Sequence, residues 1–471
     1  MIYVFLSYEG LSFPIAQRMQ DDGVRVLVGQ VQDASEIGDS PEKPNDRQRR
    51  LQLYDGILDK QPAKKLLKTL ANAPDKDEYV IFCDFNTLWR QAEYLLSVGF
   101  TQGLFPTEED RHFEKDRKAA REFVQQHYPD LSVLETIECK TIKDAQQALK
   151  TPKGVYVLKS NSGDGETVVP RDRSLHKAAQ QILDMLAHDR KAYESQGFTL
   201  EQRLVDPLEY TPQMVWLDGR PVYAIVDLET KLLGAGDIGP QVGCAQNLVV
   251  LVDCDADLLR MAFPSVVHAE AKRRFGWYWW DASILYDEEE RRYYFGEFCA
   301  NRPGYDSLMC EIDMAGGPRA YFEAMLVGTP PLAYQYGAGV RLFNMSHGGT
   351  THLENKRILA KNEGKDGQSM WLYDAMQERG HYRTTGYSWD LGMAGGVADL
   401  PSVAIDRAYQ AARERVSVND LYYRPQSDFL STEYPTAILN RLERLHHEGL
   451  LDMPQRSTQI KHQNTEQQEA A

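Results

Sequence analysis

Two apolar, aromatic segments joined by an acidic turn constrain the fold of this chain most tightly. Tyr278–Tyr286 lies in the run WYWWDASILY, Arg292–Phe298 leads into YYFGEFCANR, and Asp287–Glu290 separates them. The pattern reads as a hairpin of two strands inside a sheet. Asp281, Glu297 and Asn301 sit on or just beyond these strands. Carboxylates on otherwise apolar strands are costly unless paired or bound to a cation. Hard oxygen ligands of this kind suit Mg²⁺ that also holds substrate phosphates. Arg302 beside them suits negative charge that develops during phosphoryl transfer. A buried arginine–carboxylate pair in a core is the other reading of the same residues.

The rest of the chain reads as a multidomain protein mixing α/β and α+β units. A length of 471 residues allows about three domains of roughly 100–200 residues each. Residues 1–105 carry short apolar strands (Ile2–Leu6, Val24–Val28, Tyr79–Cys83) alternating with helical patterns from Pro14 and over Trp89–Val98. That alternation predicts a small parallel sheet. The polar stretch Asp33–Arg50 reads as a surface loop. Residues 106–335 form a second region. It holds a charged helix over Phe113–His127, a strand Gly154–Lys159, a short strand Thr167–Val169 and a helix Leu175–His188. Strands Met214–Leu217, Val222–Val226 and Leu248–Val252 precede the aromatic hairpin. Residues 336–430 form a small α+β region with a strand near Val340–Asn344, a glycine-rich run Gly392–Val397 and a helix Ser402–Val416. Residues 431–471 read as a helix and a polar tail, disordered from Gln455 onward.

Composition excludes several classes. A formal net charge of −16 argues against non-specific attraction to nucleic acid or an anionic membrane. No apolar run is long enough to span a bilayer. The start, MIYVFLSYEG, has no basic region or small-residue cleavage site and reads as a first strand rather than a signal peptide. The six cysteines form no C-x-x-C pair, as expected of scattered reduced thiols in a cytoplasmic protein. Gly234-Ala-Gly-Asp-Ile-Gly239 matches the dinucleotide pattern, but Pro240 and Gly243 follow without helical periodicity, so that reading is set aside.

Two further constellations carry chemistry. Lys159 closes a strand and is followed by Ser160-Asn-Ser-Gly-Asp-Gly165. A lysine facing a glycine-containing loop suits a triphosphate, because Ser162, Gly163 and Gly165 let backbone N–H groups approach phosphate oxygens. An ordinary turn with a solvated lysine is the alternative. Downstream, Thr199-Leu-Glu-Gln-Arg-Leu204 precedes Glu209. A strand edge of this kind can pair with an adenine ring, and a nearby carboxylate can accept from ribose hydroxyls.

The order of these pieces resembles the ATP-grasp family, and more closely its phosphoribosylamine–glycine ligase branch. Phe113-Glu-Lys-Asp-Arg-Lys-Ala-Ala-Arg-Glu-Phe123 is similar to the helix that opens the family's nucleotide region. Val157-Leu-Lys159 with its loop resembles the phosphate-covering strand. Thr199–Glu209 resembles the adenine hinge, Gly236–Gly243 the D-x-G-P-N-T-G-G segment, and Gly296-Glu-Phe298 the metal-binding strand. Met345–Thr350 looks like F-H-A-G-T, and Tyr423-Arg424 with Asp428 looks like Y-R-x-D. The likeness runs from about residue 75 to residue 430 and rests on co-linear order rather than on any single motif.

The resemblance implies an N-terminal α/β domain, an ATP-grasp core and a small C-terminal domain. It also implies a reaction in which ATP converts a carboxylate to an acylphosphate that an amine then attacks. ATP would be held by Arg117, Lys159, Ser162, Gly163, Gly165, Glu201, Leu204 and Glu209. Mg²⁺, or Mn²⁺ in its place, would be held by Asp281, Glu297 and Asn301, with Arg302, Asp237 and Lys231 as the catalytic set. Partners would be small-molecule carboxylates and amines, on a monomer or homodimer. Departures are equally visible. The family's G-G-R-E-H loop corresponds to Ser7-Tyr-Glu-Gly-Leu-Ser-Phe-Pro14, which has no Arg or His. Glu166 stands near the place of a lysine, and Asn301 or Cys299 takes the place of the family's asparagine. An altered acceptor is therefore expected. A true phosphoribosylamine–glycine ligase of purine synthesis and a catalytically weak ATP-binding relative are the alternatives.

Overall fold

Strand Ile2–Ser7 (β1) is buried along its whole length, as a strand covered on both faces must be. Helix Phe13–Asp21 (α1) follows, with Pro14 in its first turn, where the missing N–H breaks no bond. The strands Val26–Gln30 (β2), Lys60–Pro62 (β3), Tyr79–Cys83 (β4) and Gly103–Leu104 (β5) complete the region. β1 pairs in parallel with β2 and with β4; β2 pairs in parallel with β3, and β4 with β5. The chain thus builds outward from one side of β1 and then crosses to the other. That places a topological switch point between β1 and β4, where ligands of open α/β sheets bind at the carboxyl ends.

The computed structural model describes residues 1–161, 167–170, 172, 174–204, 206–345, 354–360, 367–431 and 436–452. The chain divides into two units. The first comprises Met1–Glu114, Tyr210–Ser283 and Phe298–Ala471, the second Lys115–Glu209 and Ile284–Glu297.

In the first unit the sheet continues beyond β5. From the far edge the order is Gln368–Leu372, Asp390–Ala398, Tyr336–Asn344, Ile238–Val252, Arg220–Gly234, Leu208–Leu217 and Trp277–Asp287, then β5, β4, β1, β2 and β3. One core of Tyr3, Phe5, Phe82, Trp277, Trp279 and Phe322 ties the N-terminal strands to the aromatic strand. The glycine run forms the strand Asp390–Ala398, and helix Pro401–Glu414 lies against it. A Cβ at Gly396 would collide with the Ala404 carbonyl and the Ala408 nitrogen, so only glycine permits that approach. Gly234 and Ile238 face each other in an antiparallel pair, so the G-A-G-D-I-G segment is a hairpin turn and opens no helix.

The second unit holds an antiparallel sheet in the order Thr136–Cys139, Phe198–Gln202, Tyr156–Ser160. Helix Leu175–His188 buries Ala178, Ala179, Ile182 and Leu186, a helical spacing that makes one apolar face. That face packs on Tyr156, Leu158, Phe198 and Leu200.

Three local expectations are corrected. Asp33–Arg50 is not a loop throughout: helix Pro44–Gln52 begins within it. Phe113–His127 is not one helix. Glu108–Lys115 and Arg117–His127 are separated at Asp116, whose side chain accepts from the Ala119 N–H as an N-cap. Thr167–Val169 is reduced to a single bridge between Val168 and Leu158.

Candidate active site

In the second unit, Lys159 stands opposite Thr199 and Val157 opposite Glu201 across an antiparallel pair. Lys159 and Glu201 are therefore diagonal neighbours on one face, and their side chains form an ion pair. Arg117, the first residue of its helix, donates from Nη1 to the Ser160 carbonyl at 3.4 Å. Two cations thus gather at the end of one strand, a donor set suited to phosphate oxygens. The loop residues Ser162, Gly163 and Gly165 lie outside the described residues. Leu204 packs with Leu134 and Tyr294. Glu209 is partly buried at the start of the strand Leu208–Leu217, and Glu297 is exposed near the end of Arg292–Ala300.

In the first unit, Asp281 is buried on the strand Trp277–Asp287. Burial raises its carboxyl to about 8, while the Arg302 charge and a hydrogen bond with Cys299 pull it down and Glu229 and Glu114 push it up. Arg302 donates from Nε to Glu114 Oε2 at 3.0 Å and from Nη2 to Cys299 Sγ at 3.3 Å. Its guanidinium carbon lies 4.5 Å from the centre of the Phe85 ring. Asn86 Nδ2 donates to the same Glu114 oxygen at 2.5 Å. Arg302 is shared between Glu114 and the Cys299–Asp281 side. A desolvated carboxyl gains from a divalent cation, which suits Asp281 to Mg²⁺ as a single donor; among the described residues no group of three His, Cys, Asp or Glu side chains comes together that could hold a metal ion.

Asn301 is engaged inside the fold. Its Nδ2 donates to the Phe105 carbonyl at 2.9 Å and to Asp110 Oδ2 at 3.0 Å, and its Oδ1 accepts from the Trp279 N–H at 3.4 Å. It also adopts φ +50°, a left-handed conformation that asparagine tolerates. Asp237 lies at the tip of the hairpin turn. It accepts from Arg424 Nη2 at 2.7 Å and from the Thr436 hydroxyl at 3.0 Å. Arg424 also pairs with Asp428 at 3.0 Å, and Asp428 accepts from the Gly236 N–H at 2.9 Å. The two motifs at Gly236–Gly243 and Tyr423–Asp428, far apart in sequence, thus meet as a clamp on one turn. Lys231 is partly buried on the strand Arg220–Gly234.

No protein-family model matches the chain, and no curated protein matches it by sequence. Solved structures match it in shape. Phosphoribosylamine–glycine ligase from Thermotoga maritima superposes with a TM-score of 0.60 at 15% identity, covering 90% of this chain and 99% of that one. Biotin carboxylase from Campylobacter jejuni, solved as a β,γ-ATP complex, gives 0.59 at 13% identity, covering 93% and 98%. The biotin carboxylase domain of the Hydrogenobacter thermophilus 2-oxoglutarate carboxylase, solved with MgADP, ADP and bicarbonate, gives 0.57 at 13% identity, covering 96% and 99%. The chain has an ATP-grasp fold.

The mixed α/β and α+β architecture expected from the sequence is that of the ATP-grasp fold. Two partners of Arg302 are not legible in the sequence: Glu114 reads only as part of a charged helix, and Cys299 only as a stand-in for asparagine, because neither residue type signals a partner by itself. Among the described residues, no helix is long and apolar enough to cross a membrane.

Proposed function

We propose that this chain is an ATP-dependent, ADP-forming carboxylate–amine ligase. A substrate carboxylate attacks the γ-phosphorus of ATP, ADP leaves, and an acylphosphate forms. An amine then attacks the acyl carbon, phosphate leaves, and an amide remains. The observation that carries the reading is the pair of cations, Lys159 and Arg117, at the end of the strand Tyr156–Ser160, on an ATP-grasp fold. Lys159 and Arg117 orient phosphate oxygens. Leu204 gives an apolar wall suited to a base, and Glu201 and Glu209 are carboxylates suited to ribose hydroxyls. Asp281 in the first unit and Glu297 in the second are each hard oxygen donors of the kind that would hold Mg²⁺, which would neutralise phosphate charge when bound. Arg302, with one edge toward Cys299, offers charge for the transferring phosphoryl group. The protein positions and neutralises; no side chain needs to form a covalent intermediate.

ADP release screened against a panel of carboxylates and amines tests the proposal. ADP formed only when both partners are present supports it. Nucleotide binding without turnover for any pair would favour a weak ATP-binding relative. Turnover with glycine and phosphoribosylamine at about 1 per second or more would make the chain a phosphoribosylamine–glycine ligase and sink the altered-acceptor reading.

A further inference from the structure

Three residues beyond β4, Asn86 is 1% exposed, yet its amide is committed to a carboxylate nearer the surface. Asn86 Nδ2 donates to Glu114 Oε2 at 2.5 Å and to the Ala300 carbonyl at 3.2 Å. Ala300 closes the strand Arg292–Ala300, two residues before Arg302. One buried amide therefore ties the Glu114 carboxylate to the backbone that carries Arg302. The same Glu114 oxygen accepts from Arg302 Nε at 3.0 Å.

The guanidinium is held unevenly. Its Nε edge meets a carboxylate, a strong charge-assisted acceptor, while Nη2 donates to Cys299 Sγ at 3.3 Å, and a thiol sulfur is a weak acceptor. Its face lies on the Phe85 ring, with the guanidinium carbon 4.5 Å from the ring centre. The backbone beside it is fixed as well, because Asn301 is bonded to Phe105, Asp110 and Trp279. A long arginine side chain has many rotamers, and these contacts select one plane for it. The Arg302 and Glu114 side chains are 21% and 23% exposed. An ion pair so placed contributes little to stability by itself; its stronger effect is to fix where the charge points.

We infer that Glu114, strapped by Asn86 and aided by Phe85, is a positioning residue that presets Arg302 for phosphoryl transfer, with Nη2 as the edge that turns from the Cys299 sulfur to a phosphoryl oxygen. The inference rests on the ligase reading for the role of Arg302, and on the contacts above for its fixed pose. A donor set in place beforehand needs no reorganisation when charge develops on the phosphoryl group. Arg302 stays protonated throughout and gives up no proton. A guanidinium released from Glu114 keeps its charge and loses its aim, and small misplacements of such groups lower turnover steeply.

The test titrates the full chain calorimetrically with Mg-ADP, in the presence and absence of fluoroaluminate, which mimics the transferring phosphoryl group. Fluoroaluminate is expected to tighten Mg-ADP binding to the wild type. Glu114→Gln keeps the Mg-ADP affinity and the melting temperature but loses about tenfold or more of that tightening. Phe85→Leu, which keeps apolar support and removes the ring face, loses a smaller part of it. Glu114→Gln combined with Arg302→Ala binds the mimic no more weakly than Arg302→Ala alone, as expected of a residue that acts only through Arg302. Full tightening in Glu114→Gln, additive losses in the double variant, or a parallel loss of Mg-ADP affinity and melting temperature overturns the inference and leaves the ligase reading standing. Mg-ADP binding to the wild type that fluoroaluminate does not tighten removes the role of Arg302 and overturns the inference as well. No Mg-ADP binding to the wild type overturns the ligase reading, and this inference with it.

Discussion

The ammonium of Lys159 is paired with Glu201, so a phosphate must compete with a carboxylate for it. Because Lys159 is partly exposed and Glu201 buried, removing the lysine withdraws charge more than packing. Lys159→Ala should weaken Mg-ATP binding by about tenfold or more with little change in melting temperature; equal losses in both would reduce the pair to a structural contact. Glu297 is exposed, so Glu297→Gln should abolish ADP formation at an unchanged melting temperature if it serves the metal, because a neutral amide is the poorer Mg²⁺ ligand. Full activity in that variant would remove Glu297 from the metal set. Asn301 behaves in the opposite way. It supports Phe105 and the buried Asp110, itself paired with Arg274 at 2.9 Å. Asn301→Ala should therefore destabilise the chain by about 2–4 kcal/mol in denaturant unfolding. Asn301→Gly recovers only the part of the loss that comes from φ +50°.

Helices and strands of the first unit bury carboxyls whose titration is reversed from the usual pattern. Burial is the main cause that raises Asp84 to about 7, Asp281 to about 8, Glu311 to about 7 and Asp390 to about 7. Each folded-state value lies above the unfolded one, so the folded chain holds more protons in between. The contribution of these groups to stability is complete below their unfolded values and is lost as pH rises through about 7 to 8. The melting temperature should fall as pH goes from about 5 to about 8. Glu311→Gln should flatten that fall, since Glu311 sits among Gln213, Tyr223 and Tyr321 in a fully buried network. A melting temperature that climbs across the same window would contradict this. Elements were legible in the sequence where burial leaves a pattern. Tyr79–Cys83 is a continuous apolar run and folds as read. Helix Pro44–Gln52 was illegible because its one buried residue is Arg50, which no apolar periodicity can reveal. The break at Asp116 was hidden because an N-cap aspartate inside a charged run looks like more helix.

At the scale of the whole molecule, the co-linear order of weak motifs carried the fold although sequence identity to the matched structures is 13–15%. Pairings across distance were harder to read. That Arg424 would clamp Asp237, or that Lys159 would meet Glu201 diagonally, depends on strand register and turn geometry, which residue types alone do not encode. The central claim, that this ATP-grasp fold binds and uses ATP, is tested most directly by calorimetric titration of Mg-ATP into the wild-type chain and into Lys159→Ala. The account predicts saturable, Mg²⁺-dependent binding to the wild type that weakens by about tenfold or more in the variant. No binding to the wild type, or equal binding to both proteins, would contradict it.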